Sequence, residues 1–313
     1  MAEKNQRTAF GQTLVELCRE NKDIVVLDAD LGASTMGKMV EVEPGMENRH
    51  IEMGIAEANM ISTAGGLSRV GKIPFCASFA VFAAGRAYDQ IRQSVAIGKL
   101  NVKICGSSAG LSDFGDGAAT HQSVDDIAYL RVIPNMSVFV PTDANQTVGI
   151  VRYMASHEGP MYIRVNRNPY DNVTPEGAEF IPGEPIVMKE GTDIAVFACG
   201  VMVPMALEAA KMLEGKISVK VVNVPSIKPM NRDSIIAIAK SVKGCVTAEE
   251  HSIIGGLGGA IAEALRLERI PLEFVGIEDQ FGSSAHNYED ILSYLGLTKE
   301  HITEAVEKVF SLT

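Results

Sequence analysis

Residues 23–31 read DIVVLDADL. The run Ile24–Leu27 is wholly apolar and ends in acids at Asp28 and Asp30. That pattern predicts a parallel strand buried on both faces, with polar groups gathered at its carboxyl end. Outward from it, strand-like and helix-like segments alternate. Residues 55–69 suit a helix and 74–79 a strand. Residues 88–98 have helical spacing with Gly98 as the stop, and 101–106 read as a strand. A helix over 125–133 is ended by Pro134, and 137–141 reads as a strand. Asp143 is placed to cap a helix running to Ser156, and 161–167 reads as a last strand. Such alternation predicts a doubly wound α/β domain. Residues 168–190 carry Pro169, Pro175, Pro182 and Pro185 with little periodicity, as a linker would. Beyond them the alternation resumes from IAVFACG to LEFVGIED, which predicts a second, smaller α/β domain.

The chain has 313 residues, 46% of them hydrophobic and 21% charged, enough for two cores and unlike a disordered protein. A net charge of -11 with no basic run argues against nucleic acid as a partner. The N-terminal stretch has no apolar leader core, and no apolar run suffices to cross a membrane. The five cysteines are scattered in apolar contexts without metal-binding pairs, as reduced thiols of a cytoplasmic protein would be.

Glu57, in the stretch IEMGIAEANM over 51–60, is a poor place for a solvated charge. The small apolar run ISTAGGLSRV follows it, so the carboxylate must find a partner or its ionised form is disfavoured. That partner could be a ligand or the other half of a buried ion pair. Phe79 and Phe82 lie further on, and then DFGDGAATHQ over 113–122. A buried acid, an aromatic platform and a glycine-rich polar loop with His121 together describe the wall of a cofactor site. The run GGLGG at 255–259 lacks dinucleotide-fingerprint spacing and reads as a tight strand-to-helix turn.

These stretches, with SFAVF, LRVIPNMSVFVPTDA, GPMYIRVNR and DQFGSSA in order, make the chain resemble the C-terminal section of transketolase, of the kind split into two subunits. The resemblance spans nearly the whole chain. It implies a pyrimidine-binding domain over residues 1–181 and a smaller transketolase-type C-terminal domain over 186–313, both doubly wound α/β. It also implies thiamin diphosphate and Mg²⁺, the metal held mainly by a partner subunit, and an α2β2 heterotetramer with that N-terminal-section partner. Glu57 matches the acid that hydrogen-bonds the aminopyrimidine and so activates the cofactor. Phe79 and Phe82 match the aromatic residues packed on that ring, and Asp30 and Leu31 match residues lining the cofactor site. His121 matches a catalytic histidine near the donor's hydroxyl and carbonyl groups. Asp116 matches an acid that reads a sugar hydroxyl. Ser34 and Arg167 match residues that grip the sugar phosphate.

The segment Gly115-Asp116-Gly117 with Asn145 is similar to the family's metal motif. Its asparagine stands inside a helix start, so no metal ligand is assigned to this chain. Departures fall at Ser108, taken as a substrate-binding residue where many relatives have a phosphate-binding histidine, at Gly115 and at Gly85. They point to two-carbon ketol transfer from an altered donor, such as an unusual pentulose phosphate or a sulfo-sugar. The alternative is the β subunit of a 2-oxo acid dehydrogenase.

Overall fold

The computed structural model describes residues 5–32, 40, 44–46, 48–113, 115 and 117–313. The expected first strand is β1, Ile24–Asp28, with every residue buried. Around it run β2 (His50–Glu52), β3 (Ile73–Phe79), β4 (Lys103–Ser107), β5 (Ser137–Phe139) and β6 (Met161–Arg164). They lie parallel in the order β5-β6-β4-β3-β1-β2. The helix Glu57–Arg69 buries Met60, Ile61 and Ala64. The helix Ala144–Ser156 begins at Asp143, whose carboxylate accepts from Gln146 N.

A second sheet holds β7 (Ile186–Lys189), β8 (Ile194–Ala198), β9 (Val219–Asn223), β11 (Gly244–Ser252) and β12 (Leu272–Ile277), in the order β12-β11-β8-β9-β7. Only the edge strand β7 runs antiparallel.

Three features depart from the pattern read in the sequence. The intervening strand β10, Ser226–Lys228, leaves the second half of the chain and pairs antiparallel with β5, so it completes the first sheet. Three residues before Pro229 carry no periodicity by which to recognise a strand. The helix expected from Tyr88 is preceded by a wide-turned π-helical segment, Val81–Arg86, and a second lies at Ile91–Ala96. Single π turns of this kind concentrate at functional sites.

The proline-rich stretch contains no helix or strand before β7, yet it is held down. Asp143 accepts hydrogen bonds from Val173 N, Thr174 N and Thr174 Oγ1, and Tyr170 packs edge-on against Tyr288. Both halves also share one apolar core, in which Phe197, Leu257 and Ile261 meet Ile104, Ile127 and Val138. Apolar burial of this extent makes the two sheets one packed body.

Candidate functional site

In the first sheet β1 pairs with β2 on one side and β3 on the other. Connections leave the carboxyl ends of β1 and β3 in opposite directions. In open α/β sheets that switch point is where ligands bind. A pocket of about 260 Å³ opens there. Ala29, Asp30 and Leu31 follow β1; Ser78 and Phe79 end β3; Glu57, Phe82, Arg86 and His121 close the remaining sides, with Ile55 at the mouth.

The turn after β1 is fixed by acids. The Asp28 carboxylate accepts from Leu31 N at 2.9 Å and pairs with the His50 ring. Burial alone would raise the Asp28 carboxyl, but hydrogen bonds with His50, Glu52 and Leu31 N–H hold it below its ordinary value. Glu52 Oε1 accepts from Asp30 N and Gly54 N, each at 2.8 Å. Asp30 thereby adopts a left-handed conformation, φ 58°.

Glu57 is the first residue of its helix and is 1% exposed. A helix amino terminus favours a negative charge at this place. Arg86 Nη1 donates to Glu57 Oε2 at 3.1 Å, and the Arg86 guanidinium lies 4.6 Å from the Phe82 ring centre. Of the two partners open from the sequence, the ion pair is thus present. Its arginine is half exposed at the mouth of the site, where the carboxylate is enclosed. The π-helical turn carries Phe82 and Arg86 together toward Glu57.

Phe79 and Phe82 stand 6.3 Å apart between ring centres. The His121 ring meets both edge-on, at 5.5 and 5.2 Å. Thr120 Oγ1 donates its one proton to Gly117 O at 2.6 Å, so its contact with His121 Nδ1, 2.8 Å, has Nδ1 as donor. The network therefore assigns the proton to Nδ1 and leaves Nε2 an acceptor.

Not every residue singled out in the sequence joins this group. Arg167 stands with Asp113, Nη1 to Oδ2 3.3 Å, outside the pocket lining. Ser108 is fully buried at φ 49°, outside the pocket lining, and its hydroxyl has no partner. Ser34 and Asp116 lie outside the described residues.

Three further residues were not singled out. Arg86 is one, signalled only by its place four residues after Phe82. Ser78 is another: it lines the pocket with a buried hydroxyl that has no partner. The third, Arg7, has a buried Nε without a partner, and burial with the nearby Arg167 guanidinium pulls its pKa below the ordinary value. Two guanidiniums that repel each other with a buried donor unmet are suited to an anion.

The aminopyrimidine end of thiamin diphosphate fits what is present: an enclosed carboxylate, an aromatic wall and the orphaned Ser78 hydroxyl.

Residues 2–172 match the family model for the transketolase pyrimidine-binding domain, and 183–302 that for the transketolase C-terminal domain. The chain is 41% identical to a putative transketolase C-terminal section of Methanocaldococcus jannaschii, over 97% of this chain and 95% of that one. It is 39% identical to a 6-deoxy-6-sulfo-D-fructose transketolase subunit of a Clostridium species, over 97% and 94%. A solved structure described as a split gene transketolase, inactive beta4 tetramer, superposes with a TM-score of 0.88 at 46% identity over 99% of both chains. This chain belongs to the transketolase family. Its matches are to the C-terminal section, the part holding the pyrimidine-binding and C-terminal domains, and they favour transketolase over a 2-oxo acid dehydrogenase.

Proposed function

We propose that this chain is one subunit of a thiamin diphosphate-dependent transketolase, moving a two-carbon ketol unit from an anionic ketose to an aldose. The observation that carries the reading is Glu57, a carboxylate enclosed beside aromatic rings at the switch point of the sheet. Glu57 would hold the cofactor's aminopyrimidine by a hydrogen bond. Phe79 and Phe82 would pack on its ring, with Asp30 and Leu31 along its edge. Once bound, the cofactor supplies an electron sink for cleavage of the ketose C–C bond. The Arg86 pair holds the Glu57 carboxylate in one orientation and stacks on Phe82, which keeps the wall assembled. His121 Nε2, left as an acceptor, takes the proton of a sugar hydroxyl. Arg167, with Arg7 beside it, binds the anionic end of the sugar. Asp116 and Ser34 complete the sugar site in this reading, while buried Ser108 is left out of it.

The diphosphate and Mg²⁺ fall to a separate N-terminal-section subunit, two copies of each chain making a heterotetramer. Support comes from the relatives named as a C-terminal section and as an inactive tetramer of one split-gene chain. We assign the domains to 1–181 and 186–313. Five buried, unpaired cysteines favour a reducing, cytoplasmic setting, and no helix among the described residues is long and apolar enough to cross a membrane.

A guanidinium fork suits a sulfonate as well as a phosphate. With a sulfo-sugar subunit among the relatives, the donor is proposed to lie outside the common pentulose phosphates. Reconstituting the pair and assaying a ketose panel tests this. Two-carbon transfer best with an uncommon phosphorylated or sulfonated ketose is expected. Xylulose 5-phosphate winning by a wide margin would exclude the altered donor, and decarboxylation without transfer would exclude transketolase.

A further inference from the structure

The second domain meets the loop that carries His121 at Gln122. Gln122 directly follows His121 and is 4% exposed. Its amide nitrogen donates twice, to Asp113 O on its own loop and to Ser283 O of the second domain, both at 2.9 Å. Gly282 lies so near that a Cβ there would fall 1.7 Å from Gln122 Oε1. Any side chain at 282 must displace the amide.

The same loop is fastened at its stems. Gly110 and Ser123 exchange backbone hydrogen bonds at 3.0 and 2.9 Å. Leu111 N donates to Glu250 Oε1 at 2.8 Å, and Val124 O accepts from Ser252 N at 2.7 Å, both partners lying on β11. Arg164 donates to Ser123 O and Glu250 O from one Nη2, each at 2.9 Å. These bonds hold the stems; among the described residues, Gln122 is what links the end of the loop beside His121 to the second domain.

We infer that Gln122 is a positioning residue through which the second domain sets His121 against Phe79 and Phe82. Unable to reach a substrate from its buried place, Gln122 acts through its neighbour. Its removal frees the loop between two fixed stems, so His121 samples orientations away from the aromatic wall. The catalytic part of this inference rests on the proposed transketolase reading; the mechanical part does not.

The test uses Gln122→Met, which keeps size and loses both donors, and Gly282→Ala, which pushes the amide aside. In the chain by itself, amide hydrogen exchange over residues 117–122 should quicken in both variants while β3 and β4 stay protected. In the reconstituted pair, kcat/KM for the ketose should fall roughly tenfold or more, because a small displacement of a reacting group is expensive. Thiamin diphosphate affinity should hold. The double variant should be no worse than the worse single one, since both break one tie. Unchanged exchange over 117–122 overturns the inference even if the pair proves inactive. Equal losses of ketose turnover, cofactor affinity and global stability would reduce Gln122 to a structural residue and overturn it too. Quickened exchange in a pair with no transketolase activity would keep the latch and remove the proposed function.

Discussion

The floor of the pocket and its rim are built by different means. Glu57 opens a helix, Phe79 ends the central strand β3, and Asp30 follows β1 with its N–H held by the Glu52 carboxylate, so regular elements and one short turn fix them. His121 sits on a loop whose fixed points belong largely to the second domain. Rigid elements suit the chemistry common to every substrate, and a loop suits the part that varies with the sugar. The comparison teaches that cofactor activation and sugar choice should fail separately when mutated.

Glu57→Ala should give the largest effect. Turnover by the reconstituted pair should drop roughly 10³-fold or more, the scale of a lost proton-handling group. Circular dichroism should report a normally folded chain. The rim should respond differently. Arg7→Met or Arg167→Met should raise KM for an anionic ketose by about 10- to 100-fold, as expected for lost hydrogen bonds to a charged group, with kcat much less changed. An uncharged ketose should be nearly indifferent to both, and steady-state kinetics on the two donors separates the cases.

The attachment between the regions can be strained directly. Gly110 has φ 65°, and a Cβ there would meet the Glu250 carboxyl carbon at 2.2 Å. Gly110→Ala should cost about 1–3 kcal/mol in denaturant unfolding. The last effect, on stability and not on turnover, concerns a group remote from both regions. Lys103 is buried, donates to His157 O and Gly159 O, and burial pushes its pKa down to about 7. A folded pKa below the unfolded 10.5 means the unfolded chain binds more protons between those values. Stability should therefore rise from pH 7 toward 10.5 and be lowest below 7, where the buried amine must carry its charge. Lys103→Met should flatten that rise, read from melting temperatures across pH, with kcat and KM untouched.

The regular part of this architecture was legible because β1, β3, β4, β5 and β6 are short, largely apolar runs, whereas β2, His50–Glu52, carries no such signal. Asp143 announced its helix, and the acid at 57 could be read as needing a partner. Less was visible where distant segments meet. Strand β10 is too short for periodicity and joins a sheet begun some two hundred positions earlier along the chain. Arg86 lies at helical spacing from Phe82, but the sequence does not show that this segment turns as a π-helix toward Glu57. Gln122 looks like any loop glutamine until Gly282 is brought beside it.

The central claim is that the enclosed carboxylate of Glu57 activates a cofactor whose other end is held by a partner chain. Deuterium exchange at C2 of thiamin diphosphate, followed by NMR in the reconstituted pair, tests it most directly. Exchange should be fast in the pair, slow with this chain alone, and slow again in the pair carrying Glu57→Ala with cofactor still bound. Equally fast exchange in that variant would contradict the account.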